Sequence, residues 1–534
     1  LAHKEWLWPV LLIAGLTVVN GLTLIRYPQV NGDDAWNVSR AWGLLHTGQV
    51  YGTLDAGVFE HYPGYWTYFS WIGTFIHALF VALMGPTDAS VRVASLLFGV
   101  ILLATVYAVG RSLGGVKAGL IAVLITGTSV GFVFTSHLGR HDIIVATLGC
   151  LSIALYLNKW RSGRSAVAAS LVAGMLIGFS LDIHPNSLIY FPVLGCLVFL
   201  VDGWRAPLKP RLWAFGAGLM SGVGFFALAH LSEYRDTYIK LFDIGGATAR
   251  TPPISTLDVD WWISSLLETL MILGPILVVL VGLSAVSMIL RRPASANYAV
   301  ALLVVPILAF SAIVAIKQGE YAVLIVPPVA VFVGVGLERF ATLPRIRGRT
   351  TQERMRAVAG ACVMAVLLVW PMRGLSLLLP DSHGDYDRVM ARLEEAIPAS
   401  AVVMGSQIYW FGFTDTRYLS WEQLMYYQRA YPHTNTANAL QALGVQYFIM
   451  DQSVAGYSIP ESDNATPDLS SPETFQSAIR AYLEKNGQLA ATIQSDLLGQ
   501  VQVYRIGQDA RAASKLQAIR AGYAAHDPPY HSAH

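Results

Sequence analysis

The stretch DASVRVASLLFGVILLATVYAVGRSLGG, residues 88–115, decides how the chain is read. From 89 to 110 it supplies the roughly 20 mostly apolar residues that a helix needs to cross a bilayer. Arg111 and Lys117 flank the short loop behind it. Runs of the same kind lie near 7–25, 63–84, 117–135, 142–157, 166–183, 186–201, 212–230, 263–290, 297–316, 321–338 and 356–379. Of the 534 residues, 54% are hydrophobic and 13% charged, against about 25% charged in soluble domains. Most of the chain therefore faces lipid or other membrane helices. A formal charge of +2, with no basic block interleaved with aromatics, argues against a nucleic-acid partner. Cys150, Cys196 and Cys362 fall inside apolar runs and read as small core residues, neither a disulfide framework nor a metal knuckle. The first run is too long for a signal-peptide core and lacks an A-x-A site, so it reads as a retained span.

Charge sets the topology, because cytoplasmic loops collect Lys and Arg. Arg111 and Lys117 mark one such loop; Lys159, Arg161 and Arg164 a second; Arg205, Lys209 and Arg211 a third; Arg291 and Arg292 a fourth. The richest is ERFATLPRIRGRTTQERMR, residues 338–356. They alternate with loops poor in basic residues: SHLGRHD, DIHPN, residues 231–262 and KQGE. Segment 63–84 breaks this alternation if it crosses fully. Its aromatic start, Tyr65, Trp66, Tyr68, Phe69 and Trp71, suits a helix lying in the outer interface. That leaves about eleven spans, each near the required 20 residues. The N-terminus is then inside, and the loops carrying residues 33–34, 140–142, 184 and 317–321 share the outer face.

From about residue 380 the composition changes. DYDRVMARLEEAI has helical spacing, AVVMGS and VQYFIMD read as short buried strands, and TNTANALQALG as a helix closed by Gly444. The expected organisation is a polytopic α-helical membrane domain over 1–379, with residues 26–88 as its first outer loop and interfacial helix. An extracytoplasmic α/β domain follows over 380–508, then a tail over 509–534.

The polar residues gather at the outer helix ends. YPQVNGDDAWNVSRAWGLL, residues 27–45, sets Asp33 beside Asp34 directly after the first span, although adjacent carboxylates repel. Glu60 and His61 precede the interfacial segment; Arg140, His141 and Asp142 separate two apolar runs; His184, Lys317, Glu320 and Tyr321 end others. Ionisable groups at membrane depth are costly and by default mark a functional site. Plainer roles exist for each. Asp34 is a candidate cap for a helix through AWNVSRAWGLL, Arg140 and Asp142 for a structural ion pair, His184 for a helix-end histidine, and Lys317 for an interfacial anchor.

GDDAW, HYPGYWTYFSWIGTFIHALF, residues 88–115 and HLGRHDIIVATLGCLSIALYL, taken in order, resemble the N-terminal half of the GT-C glycosyltransferases. The branch they look like holds the protein O-mannosyltransferases and the lipid A aminoarabinose transferases. There an acidic pair follows the first span, an H/K-P-P-x-Y-Y-W-like stretch follows the loop, and an R-x-D-like turn comes later. IKQGEYAVLIVPPVAVFVG is similar to the family's later K/R…Y-x-L…P-P stretch, so the resemblance covers roughly residues 8–340. Two departures stand out. The family commonly has Asp-Glu where this chain has Asp33-Asp34, and HYPGY keeps one proline where many relatives have two.

The resemblance implies a GT-C-like membrane fold. It also implies transfer of a sugar, with inversion, from a polyprenyl-phosphate donor to a glycan, lipid or protein acceptor outside the cytoplasm, here at a plasma (inner) membrane. A hydroxyl nucleophile needs a base; Asp33 matches the family's first acidic position and is expected to serve. The departing phosphate needs fixed cations or donors, for which Arg140, Lys317, Tyr321 and His184 are the candidates. Asp34 and Asp142 complete the catalytic set, and Glu60, His61 and His141 are expected to position substrate. A divalent cation shared by Asp34, Asp142 and a histidine stays open, because hard cations favour carboxylates but no spacing here is a metal signature. The competing class is a transporter or lipid flippase with a soluble sensor domain. Transporters usually show internal repeats and broken helices with midplane charge, and no repeat is visible.

Overall fold

Two glycine pairs spaced four apart, Gly174 with Gly178 and Gly218 with Gly222, allow helices Gly163–Ile183 and Pro210–Phe226 to touch backbone to backbone. A Cβ on Gly174 would fall 2.0 Å from the Phe215 carbonyl oxygen, and one on Gly222 would fall 2.2 Å from the Gly178 carbonyl carbon. Lipid tails are as apolar as leucine, so such close contact is what drives helix association in a membrane. The structure is a computed structural model that describes residues 6–157, 163–244, 259–291, 293–314, 317–341, 367–431, 434–452 and 472–507. Lys159, Arg161, most of the basic loop 338–356, the start of run 356–379 and the tail 509–534 lie outside the described residues.

The chain divides into two units. The first draws on Leu1–Gln29, Thr67–Asp236 and Arg250–Ser382 and carries the apolar helices. Among the described residues, five helices are long and apolar enough to cross a membrane, or seven if each of two bent pairs counts as one. Shorter apolar helices include Leu7–Thr23, Trp71–Met84 and His141–Leu157. Helix Val326–Ala341 is buried along most of its length and packs against Val116–Gly127, Asp88–Gly114 and Pro275–Arg291. Trp71–Met84, with 14 residues, is about 21 Å long at 1.5 Å per residue, short of the roughly 30 Å hydrocarbon core.

Two runs expected as single spans are broken. Run 117–135 is Val116–Gly127 and Val130–Ser136, bent by 65°. Ser129 restarts the helix there by accepting from the Phe132 N–H at 3.3 Å. Run 263–290 is Val259–Leu273 and a second helix from Pro275, bent by 98°. Gly274 takes φ +79, the left-handed conformation that ends a helix, and Pro275 suits the first position of the next.

The second unit draws on Val30–Trp66, Thr237–Ala249 and His383–His534. Its sheet contains β1 (Val402–Gly405), β2 (Arg417–Ser420), β3 (Tyr447–Met450), β4 (Gly487–Ser495) and β5 (Gly499–Ile506) in the order β2-β1-β3-β5-β4. β1 runs parallel to β2 and β3, while β5 is antiparallel to β3 and β4. The expected strands are β1 and β3. The expected helices are Tyr386–Ala396 and Thr436–Ala442, with Gly444 at φ +71. The same unit contains helix Gly32–Thr47, which packs on the turn Gln407–Gly412. Trp410 Nε1 donates to Thr53 Oγ at 2.7 Å, and Gln423 bridges the Val58 N–H and the Leu54 carbonyl, each at 3.2 Å.

Candidate active site

Asn31 begins the helix that carries the acidic pair. Its backbone is extended and its side chain accepts from the Asp33 N–H at 2.9 Å. Asn31 is therefore the N-cap, the role the sequence reading offered to Asp34. The helix begins earlier than AWNVSRAWGLL, and both aspartates lie in its first turn. There the aligned N–H dipoles favour negative charge, which offsets the repulsion of adjacent carboxylates. Asp34 is fully buried and Asp33 half-buried.

About two turns on, Arg40 grips Asp55 through two hydrogen bonds of 3.0 Å, and its guanidinium lies 5.1 Å from the centre of the Trp36 ring. Asp55 also accepts from the Gly52 N–H at 3.3 Å. These contacts fix the helix on the turn Thr53–Asp55. Glu60 accepts from Arg417 at 2.9 Å, from the Gly57 N–H at 3.2 Å and from the Tyr51 hydroxyl. Burial, reinforced by the Glu60 and Asp55 carboxylates, holds the Tyr51 hydroxyl far above the ordinary tyrosine range. His61 is exposed, with Nδ1 3.3 Å from the Tyr431 hydroxyl.

In the membrane unit, Arg140, Asp142, Tyr321 and His184 form one cluster with Glu320. Arg140 Nε donates to Asp142 Oδ2 at 2.8 Å, and Arg140 Nη1 is 3.7 Å from Glu320. The Arg140 guanidinium is 5.3 Å from the centre of the Tyr321 ring, and the His184 ring 6.5 Å away on the same tyrosine. The ion pair of Arg140 with Asp142 is thus present. It leaves Asp142 Oδ1 buried with no hydrogen-bond partner among the described residues. His184 Nδ1 accepts from the Asn186 N–H at 3.1 Å, which puts the proton of the neutral ring on Nε2. His141 stacks on His77 at 5.2 Å and lies against Gly73. Lys317 has other neighbours. Its side chain is buried, donates to the Val314 carbonyl at 3.0 Å and pairs with Glu268 at 3.7 Å.

The sequence reading passed over Asp182 and His230. Asp182 ends helix Gly163–Ile183 and caps helix Trp71–Met84, accepting from Ser70 Oγ at 3.0 Å and the Ile72 N–H at 2.8 Å. His230 lies in a π-helical turn, Ala227–Leu231, with Nε2 2.7 Å from Asp182 and Nδ1 on the Thr67 carbonyl. A carbonyl only accepts, so Nδ1 is the donor in that bond. The available signal was two ionisable residues at the ends of apolar runs. Arg92, fully buried, holds the Leu24, Pro28 and Gln29 carbonyls at 3.0, 3.1 and 3.3 Å, closing the end of the first helix. Among the described residues, no three His, Cys, Asp or Glu side chains gather to hold a metal ion.

This architecture is the GT-C glycosyltransferase fold. The chain overlays the crystal structure of ArnT from Cupriavidus metallidurans bound to undecaprenyl phosphate with a TM-score of 0.61 at 14% identity, over 95% of this chain and 99% of that one. It overlays the oligosaccharyltransferase AglB from Archaeoglobus fulgidus, in complex with an inhibitory peptide and a dolichol-phosphate, with a TM-score of 0.54 at 13% identity. That overlay covers 92% of this chain and 80% of AglB. Residues 70–228 match the family described as dolichyl-phosphate-mannose-protein mannosyltransferase. No curated protein matches the chain by sequence.

Proposed function

We propose that the chain is an integral membrane glycosyltransferase that moves a sugar from a polyprenyl-phosphate donor to an acceptor hydroxyl, with inversion and with Asp33 as the base. The acceptor oxygen attacks the anomeric carbon and its proton passes to the Asp33 carboxylate. The bond from that carbon to the phosphate oxygen breaks, and its electron pair leaves with the polyprenyl phosphate. Arg140 and Lys317 balance that charge, Arg as a planar fork and Lys as a point charge, with Tyr321 and the His184 Nε2–H as donors. Asp142 holds substrate hydroxyls, as do Glu60, His61 and His141, while buried Asp34 stays beneath Asp33 in the same first turn.

The observation that carries the reading is the acidic pair itself. A half-buried aspartate beside a fully buried one, both in the first turn of a helix capped by Asn31, has a fixed position and a supported charge. The undecaprenyl phosphate and dolichol-phosphate in the ArnT and AglB structures supply the donor class. The test is incubation of purified protein with a panel of polyprenyl-phosphate sugars, following release of the carrier phosphate. Asp33→Asn is expected to slow release by about 10²–10⁴-fold, the usual worth of a general base; full activity would remove Asp33 from that role.

The two broken helices favour the competing class, a transporter or flippase, since such breaks line transport sites. A flippase moves lipid without releasing carrier phosphate, so the same assay separates the two. The reading also puts Asp33 and Asp142 outside the cytoplasm, at a plasma (inner) membrane. A cysteine at exposed His61 is expected to react with an impermeant thiol reagent in intact cells. One at Trp204, which is 94% exposed, is expected to react only after permeabilisation. The reverse pattern would overturn the topology.

A further inference from the structure

Gln407, in the turn that follows β1, lies against the helix that carries the acidic pair and holds a carboxylate from beyond β2, Glu422. Gln407 is buried and spends its amide on two acceptors, Ser420 Oγ at 3.0 Å and Glu422 Oε1 at 2.8 Å. Its own oxygen faces Gly32, where a Cβ would lie 3.4 Å away. Gly32 immediately precedes Asp33. The other Glu422 oxygen accepts from the Tyr426 hydroxyl at 2.9 Å, and the Glu422 N–H donates to Ser420 Oγ at 3.2 Å. Both oxygens of a half-buried carboxylate are thus oriented. The Tyr426 ring stacks on Phe59 at 5.3 Å and 20°, and Phe59 precedes Glu60 and His61.

We propose that Glu422, oriented by Gln407 and Tyr426, positions the acceptor, and that the acceptor is a saccharide. This rests on the reading of Asp33 as the base. A carboxylate accepts from hydroxyls, whereas it repels a phosphorylated or carboxylated acceptor. A sugar offers several hydroxyls on one rigid ring. One donates to Glu422 and thereby brings another to Asp33, so the orientation of the nucleophile is set before attack.

The test uses the full-length protein in detergent, a polyprenyl-phosphate sugar that it turns over, and two acceptors, an alkyl glycoside and a serine-containing peptide. The wild type is expected to glycosylate the alkyl glycoside. In Glu422→Gln the KM for the glycoside is expected to rise at least about tenfold, the equivalent of losing one hydrogen bond to a charged group. The KM for the donor stays within about twofold, and Glu422→Asp recovers part of the loss. Tyr426→Phe, which removes only one hydrogen bond to the carboxylate, is expected to shift the same KM by less. That graded series separates acceptor binding from misfolding, which would lower donor binding as well. Transfer to the peptide but not the glycoside, no transfer to the glycoside, or an unchanged acceptor KM in Glu422→Gln would each overturn the proposal. Asp33→Asn fails differently, in kcat with either acceptor, so the base assignment and the role of Glu422 stand or fall separately.

Discussion

Gly222 in the membrane unit and Arg40 in the α/β unit each join two elements, by opposite means. Gly222 works by having no side chain: its helix meets Gly178 and Phe179 along the backbone. Arg40 works by having a large charged one, which binds both oxygens of buried Asp55. The difference follows from the solvent. In lipid, helices gain little by hiding apolar surface from more hydrocarbon, and contact distance decides. The loop 50–66 buries Val50, Leu54, Ala56, Val58 and Phe59, but it forms no regular helix-on-helix contact. It is held by directed bonds from Arg40, Gln423, Arg417 and Trp410.

The comparison is broken most severely by a side chain at Gly222. A Cβ there lies 2.2 Å from Gly178 C, 2.3 Å from Phe179 N and 2.6 Å from Gly178 Cα. All three are backbone atoms, so no rotamer relieves them. Gly222→Leu is expected to abolish a monodisperse peak in size-exclusion chromatography. Gly224→Ala, on the same helix with nothing within 4 Å, is expected to leave the elution profile and thermal midpoint unchanged. Equal behaviour of the two variants would remove close approach as the cause.

A smaller loss is expected from Arg40→Met, which keeps the stem and deletes the charge. Removing one partner of a buried pair costs about 3–5 kcal/mol, and the partial exposure of Arg40, 22% of its side chain, places this case at about 3 kcal/mol. Denaturant unfolding of the purified protein measures it. Arg40→Met with Asp55→Asn is expected to recover part of the loss, because no buried charge is then left alone. If the double variant is no more stable than the single one, the pair is not the joint described here.

These two kinds of joint also explain what the sequence showed. Apolar runs and basic loops are local features, so the membrane helices and the polar residues at their ends could be read directly. The two breaks had local signals as well, Gly-Pro at 274–275 and Gly-Thr-Ser at 127–129, but runs of uniform hydrophobicity concealed them. The β4–β5 hairpin was legible in the alternation of GQVQVYRI and was missed. Membership of residues 30–66 in the α/β unit was not legible. It depends on pairs such as Thr53 with Trp410 and Glu60 with Arg417, more than 350 residues apart, and neither partner looks unusual alone. The Asp182–His230 pair is hidden for the same reason, with its bonding partners Ser70 and Thr67 more than 100 residues away.

The smallest effect concerns a polar joint close to the surface, and pH reads it. Asp385 precedes helix Tyr386–Ala396 and accepts from Ser495 Oγ at 2.7 Å, from the Asp496 N–H at 3.2 Å and from Arg388. Burial alone would raise its pKa, but these donors outweigh burial and hold the carboxyl at about 2, below its ordinary 3.8. A carboxyl depressed by folding contributes stability that is complete above its unfolded pKa and is lost as pH falls toward the folded value. The contribution should therefore fade from about pH 4 to about pH 2, a window fixed by the two values just given. Ser495→Ala removes one donor, brings the folded pKa back toward 3.8 and so flattens the acid limb while lowering stability slightly at neutral pH. Denaturant midpoints at pH 5, 4 and 3 for both proteins measure this. Parallel curves would show that Ser495 does not hold the Asp385 charge, leaving Arg388 and the Asp496 N–H as its supports. A shallower fall in the variant would show that, in the α/β unit, even a joint near the surface depends on the direction of a single hydroxyl.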